Sequence, residues 1–268
     1  MAIYKTIPYM YSNLNWKDLQ EMLREGNLVV ILPTGATEPH GPHCPLGTDT
    51  IISLEACLRA AQRLHARGYK AFVLPPLSYS VTEVSRNFPG RISITQKTDA
   101  AIISEICTSL INQGISRICL FNHHLEPGHV EAVRGAVEEV EGKTGVKIAF
   151  VDIARRKYVV RLTEAFQKAE THADRHETSV VLAVDPLLVN EERRKGLKYL
   201  PINLVHKMYY EHLDEFKAMG MTEAYCGDPA SASAKEGEEI LKVLSDFIVE
   251  DIEDMFEKAH IDKPEKGC

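Results

Sequence analysis

Four short, unbroken apolar runs constrain this chain more than any other feature: 27–33 (NLVVILP), 71–75 (AFVLP), 117–121 (RICLF) and 146–151 (VKIAFV). A strand with one wet face alternates apolar and polar residues. A run that is apolar throughout reads instead as a strand buried on both faces, as in a parallel sheet. Between the runs, apolar residues recur at helical spacing over 50–67, 99–112 and 130–142, with Gly68 and Gly114 placed to stop the first two helices. This alternation predicts an α/β domain with a mostly parallel central sheet and right-handed crossovers. A turn at Phe88-Pro89-Gly90 is expected to enter a short strand ending at Ile94. Beyond residue 151 the rhythm weakens to a helix at 175–184, an amphipathic polar segment at 202–220 and a long helix at 235–259, with Ser231 or Ser233 as its N-cap. No repeat or linker divides the chain, so 1–268 reads as one domain.

The formal net charge is -7 and no basic stripe emerges, which argues against nucleic acid as a partner. The short basic runs at 155–157 and 193–195 read as solvated faces. Six scattered Cys form no close pair, as expected of a reduced compartment. Cys44 alone stands inside a polar motif, as a weak candidate ligand or reactive thiol. The chain carries no signal-peptide pattern and no stretch of 18 apolar residues, so a soluble, cytoplasmic protein without a membrane partner is expected.

Chemistry concentrates just after two of the strands. Glu38, His40, His43 and Asp49 follow the first run, and His123, His124, Glu126 and His129 follow the third. A further cluster, Thr171-His172-Ala173-Asp174-Arg175-His176-Glu177, completes a pattern that holds seven of the 11 His. Open parallel sheets place their ligand crevice beyond strand carboxyl ends, so these segments are expected to meet. Glu38 and His40 are two apart, as are His124 and Glu126, and such pairs point the same way in extended chain. Asp49 falls at the expected start of a helix. Buried carboxylates and imidazoles at this density are costly unless paired, and divalent cations pair them all. Two His and three carboxylates are more than one cation needs, so a pair of cations with one bridging carboxylate is expected. His43, His129 and His176 read as supporting partners rather than ligands, and His123 as a core or supporting residue.

The stretch PTGATEPHGPHCPLGTD resembles the signature of the creatininase family, Glu-x-His-Gly-x-His-Leu-Pro-x-x-Thr-Asp. FPGRIS, NHHLEPGH, HADRHETS and GDPASASAKEG are similar to further motifs of that family, so the likeness runs from about 28 to 245. It implies a Rossmann-like three-layer sandwich, a homo-oligomer (a hexamer) and a binuclear amidohydrolase holding two divalent ions, zinc or sometimes manganese. Carried over by position, Glu38, Asp49 and His124 would hold one ion. His40, Asp49 and Glu126 would hold the other, with Asp49 bridging and Glu177 the alternative acidic ligand. His172 would pass a proton to the leaving nitrogen, making it and Glu126 the candidate catalytic residues.

Where the chain departs from the pattern, it points to substrate. His123 replaces a Gly, Arg91 replaces a Thr, and Arg86 is the other new cation, so these three are candidate substrate contacts. The expected reaction is hydrolysis of a C–N bond in a small cyclic amide or formamide. The alternatives are a cyclic ketone, lactone or peptide bond on the same site, or a metal-bound sensor without turnover.

Overall fold

The computed structural model describes residues 7–261, with side chains to Met255; the ends of the expected single domain, 1–6 and 262–268 with Cys268, lie outside the described residues. The apolar runs form β1 (Leu28–Thr34), β2 (Lys70–Val73), β3 (Ile118–Asn122) and β4 (Ile148–Asp152). All pair in parallel in the order β2-β1-β3-β4, with Val30 opposite Ile118 and Ile118 opposite Ile148.

Because strand side chains alternate faces, each run feeds two cores. Val29, Ile31, Cys119 and Phe121 join one cluster, and Leu28, Val30, Leu32, Ile118 and Leu120 join the other. The described residues form ten helices: α1 (Trp16–Glu25), α2 (Thr48–Ala66), α3 (Gln96–Asn112), α4 (Pro127–Thr144), α5 (Arg156–Val159), α6 (Glu164–Gln167), α7 (Arg175–Val184), α8 (Glu191–Gly196), α9 (Leu204–Tyr209) and α10 (Ala234–Ile261). Residues of α2 and α10 complete the first cluster, and residues of α3 and α4 the second, so the sheet lies between two helical layers.

The chain leaves β1 toward β2 on one side and reaches β3 on the other. The order therefore reverses between β1 and β3, where a doubly wound sheet opens its crevice. Gly35 ends β1 there. A Cβ on it would lie 2.7 Å from the Thr50 amide nitrogen, so only glycine lets the first turn of α2, carrying Asp49, approach this closely.

Three expectations change. The 88–94 segment forms no strand, only a parallel bridge from Ser93 to Ser80, because Ile92 and Ile94 spend their amides on Thr37 and Ser80 of different loops. Of 202–220 only α9 is helical, yet Ile202, Phe216, Met219 and Met221 are buried with Val84 in a small separate core beside the crevice. Helix α1 was not expected. It carries an Asn15 cap that accepts from the Lys17 and Asp18 amides, and it lays Leu19, Met22 and Leu23 on the second core. The terminal helix is capped by Ser233, whose hydroxyl accepts from Glu236.

Candidate metal centre

Three loops and two helix starts converge on the β1–β3 switch point. Glu38 and His40 come from the loop after β1, and His124 and Glu126 from the loop after β3. Asp49 stands in the first turn of α2, and Glu177 in that of α7, which Asp174 caps by accepting from the Glu177 amide. His172 sits just before α7, and all these side chains are buried.

Asp49 stands at the middle. Its Oδ1 lies 3.2 Å from Nε2 of His40, and its Oδ2 lies 3.0 Å from Nδ1 of His124. His40 Nε2 is also 3.5 Å from Glu177 Oε2, and His124 Nδ1 is 3.2 Å from Glu38 Oε1. Each ring is pinned from behind: His40 Nδ1 donates to the Glu38 carbonyl at 3.1 Å, and His124 Nε2 to the Val81 carbonyl at 2.8 Å. With the proton held there, the nitrogen facing the carboxylates is a lone pair unless the ring is cationic. A lone pair facing carboxylates needs a cation between them.

The donor atoms fall into groups of metal-site size: His40, Asp49 and Glu177; Glu38, His124 and Glu126; and Glu38, His40 and His172. Asp49 Oδ2 is buried and accepts no hydrogen bond from the described residues. Both observations fit a pair of divalent cations spanned by Asp49. The grouping differs from that implied by the resemblance, which put Glu126 with His40. Glu126 is drawn to the His124 side because its oxygens accept from the Glu83 and Val84 amides at 2.8 and 3.2 Å, and Glu177 takes the place beside His40.

Protonation follows from burial and the neighbours. Burial opposes charge on His40, but Asp49, Glu177 and Glu38 outweigh it and raise its pKa to about 10. His124 is likewise held well above the usual histidine range by Glu38 and Asp49, against burial. Burial opposes charge on Glu38 too, but His124 and His172 lower it to about 2. Burial, with Asp49 and Asp174 nearby, pushes Glu177 well up, and burial raises Glu126. His172 goes the other way, down to about 4, through burial and the charge on His40.

A supporting layer holds these groups. The Thr82 hydroxyl donates to Glu38, and the Ala173 amide donates to Glu177 Oε2 at 2.6 Å. Ala173 adopts φ 47°, a left-handed conformation that costs a non-glycine residue roughly 1–2 kcal/mol, between His172 and the α7 cap. His129 bridges Asp99 (2.7 Å) and Asn122 (3.1 Å), and Asn122 accepts from the His124 amide at 3.0 Å. His43 bonds Thr178 at 2.8 Å; His176 lies between Thr163 (3.0 Å) and His123 (3.4 Å). Nδ1 of His123 is 3.5 Å from Glu177 Oε1 and has no hydrogen-bond partner among the described residues. The Cys44 thiol donates to Thr178, and burial pushes its pKa up to about 12, which leaves it a weak nucleophile.

The centre forms the floor of a cavity of about 260 Å³. Its walls include Val84, Val130, Phe166, Met208 and Phe216, and the His172 ring packs 4.3 Å from that of Phe216. Arg86 and Arg91 are not among the lining residues. They are tied to Asp214 at 2.7 Å and Glu83 at 2.9 Å. His123 does line the cavity. So does Arg134 of α4, unremarked in the sequence although it stands two helical turns beyond Glu126. Glu83 and Val84 were also missed, since the backbone amides they use leave no residue signature, and so was Thr82, whose hydroxyl lies far in sequence from the Glu38 it serves.

A family model described as creatininase, creatinine amidohydrolase, matches residues 12–252. The chain belongs to the creatininase family. The relatives it matches are named as hydrolases, a peptidase and an amidohydrolase among them, and this chain is therefore a hydrolase. It is 29% identical over 227 residues to the mycofactocin precursor peptide peptidase of Mycobacterium ulcerans, covering 82% of each chain. It is 28% identical over 195 residues to creatinine amidohydrolase of Pseudomonas putida, covering 67% of this chain and 73% of that one. A crystal structure of creatininase superposes with a TM-score of 0.76 at 24% identity, covering 92% of this chain and 98% of that one. A mutant creatininase of Zn–Zn type and a Mn creatininase superpose with TM-scores of 0.70 at 24% identity.

Proposed function

We propose that this hydrolase works with two divalent cations, zinc or manganese, and cleaves a C–N bond in a small cyclic amide or formamide-type substrate. The observation that carries this reading is Asp49, whose two oxygens each face a histidine nitrogen whose ring is pinned from behind. Glu38, His124 and Asp49 would hold one ion, and His40, Glu177 and Asp49 the other. Such a pair supplies hydroxide near neutral pH and polarises a carbonyl oxygen.

The chain's own groups handle the protons. Glu126, whose pKa burial raises above the usual carboxylate range, stands with Glu38 and His124 at the cavity floor and is placed to take up a proton there. His172 donates from Nε2 to the Pro39 carbonyl at 2.9 Å, which leaves Nδ1 as a lone pair toward Glu38, 3.9 Å away. Held near 4, it is neutral at pH 7, so any proton it accepts passes readily to the leaving nitrogen. Apolar walls exclude water around both.

A second reading is hydrolysis of a peptide bond near a chain end. It is favoured by the fuller coverage of the peptide peptidase and by a cavity that runs outward along α4. Light scattering tests the hexamer expected above. Free thiols at all five described cysteines fit a cytoplasmic setting, and among the described residues no helix is long and apolar enough to cross a membrane.

The deciding experiment is metal analysis of zinc- and manganese-loaded protein, coupled to turnover of cyclic amides, N-formyl compounds and short peptides. Close to two ions per chain and chelator-sensitive hydrolysis are expected. Undiminished hydrolysis in metal-free protein would end the proposal.

A further inference from the structure

We infer that Arg134 is a specificity-determining residue that binds the carboxylate of a substrate whose scissile group lies at Glu38, Asp49 and His124. The inference rests on the metal-hydrolase reading above and adds the chemistry of the substrate's far end.

Helix α4 forms one wall of the cavity. Glu126 caps it, and Pro127, Val130, Glu131 and Arg134 follow on the same face at steps of three and four. Arg134 stands eight residues beyond Glu126, roughly 12 Å along the axis at about 1.5 Å per residue. It is the only lysine or arginine lining the cavity among the described residues.

Its guanidinium is held for a task beyond an ion pair. Nε and Nη2 both donate to one oxygen of Asp152, at 2.9 and 2.5 Å, at the carboxyl end of β4. Asp152 is buried, its side chain 2% exposed, while that of Arg134 is 43% exposed. Arg155 donates to the same oxygen at 3.2 Å, so two cations share this carboxylate and the trio keeps a net positive charge. Glu131 lines the same wall, with its carboxylate accepting from Gln96 at 3.3 Å. Among the described residues no hydrogen bond engages Nη1 of Arg134, which leaves the outer edge of a fixed fork open. That edge matches a carboxylate in bidentate geometry.

Between the two polar ends the walls are apolar, from Phe166, Leu204, Met208 and Phe216. The matching substrate is a small molecule or peptide end with an amide-type carbonyl at one end, an apolar middle and a carboxylate at the other. Arg134 touches substrate away from the reacting atoms, so it acts on recognition rather than on the bond-breaking step.

The test uses zinc-loaded full-length protein and two probes. One is a six-methylene chain with a hydroxamate at one end and a carboxylate at the other; its partner carries a carboxamide in place of the carboxylate. Titration calorimetry is expected to show the carboxylate binding about tenfold tighter to the parent protein. Arg134→Gln is expected to erase that preference with zinc content and carboxamide affinity unchanged, and Arg134→Lys to restore part of it. Equal affinity of the parent protein for both probes overturns the assignment to Arg134 and leaves the metal reading standing. If neither probe binds, both the assignment and the metal reading beneath it fail.

Discussion

Asp49 Oδ2 lies 3.0 Å from Nδ1 of His124, the nitrogen left without a proton when Nε2 donates to the Val81 carbonyl. The pair joins α2 to the loop after β3, and Oδ1 of the same carboxylate reaches His40. Replacing that carboxylate by an amide keeps the shape and removes the bridging charge. Asp49→Asn is expected to drop the metal content of loaded protein from two ions to one or fewer. Turnover should fall at least about 100-fold, since even residues that only support a metal site cost 10–100-fold. Plasma mass spectrometry and steady-state kinetics give the two readouts, and a variant that keeps two ions and its rate would remove Asp49 from the centre.

Without cations the two ring nitrogens facing carboxylates take their positive charge from protons. Burial opposes this but is outweighed at His40, with a pKa of about 10, and at His124, which is held well above the histidine range. For each, the folded value is raised above the unfolded one. The stabilising charge is therefore fully present below about pH 6.5 and, for His40, is lost as pH rises through about 10. Metals need neutral imidazoles, so loading at pH 7 is expected to release about two protons from these rings. Apparent affinity should climb with pH across neutrality. Calorimetry in buffers of different ionisation enthalpy counts the protons, and pH-independent loading would contradict this protonation scheme.

The parallel core could be read from sequence because its physics is local. Leu28 to Leu32 are apolar without interruption since both faces of β1 are covered, and no wet face imposes alternation. Glu38, His40, Asp49 and His124 could be named because their side chains carry the chemistry and stand beside strand ends. Their grouping around the proposed ions could not be read in the same way. Which of Glu126 and Glu177 lies beside His40 depends on the amides of Glu83 and Val84, donors that every non-proline residue has. Arg86 and Arg91 looked like substrate contacts because they were cations near motifs, but Asp214 and Glu83 neutralise them away from the cavity. Arg134 carried a signal that was available, its helical spacing from Glu126, and it was visible only once 127–144 was known to be one helix.

The ring orientation of His124 is held by a closed circuit. Its Nε2 donates to Val81, whose amide donates to Asp99 at 3.3 Å. Asp99 holds His129, and His129 meets Asn122, which accepts from the His124 amide. Asp99→Ala cuts the circuit without touching a candidate ligand. It is expected to weaken metal binding about 10–100-fold while the protein stays folded, as support residues of metal sites do. Competition with a chromophoric chelator measures the loss, and an unchanged affinity would mean that the His124 loop is held by its other contacts alone.

Helix α10 comes so near α7 at Gly237 that any side chain there collides: a Cβ would sit 1.9 Å from the Ser179 carbonyl oxygen and 2.8 Å from the Ala183 Cβ. The carbonyl belongs to α7 and cannot swing aside, so Gly237→Ala must move one helix relative to the other. Overpacking of this kind costs about 1–3 kcal/mol and sometimes more, so the urea midpoint should fall accordingly. The displacement reaches the centre because Glu177 stands in the first turn of α7, two residues before Ser179. The site at His40, Asp49 and Glu177 should therefore lose affinity more than that at Glu38, His124 and Glu126. Stepwise metal titration separates the two, and equal weakening of both would mean that α7 moves without carrying Glu177 away from His40.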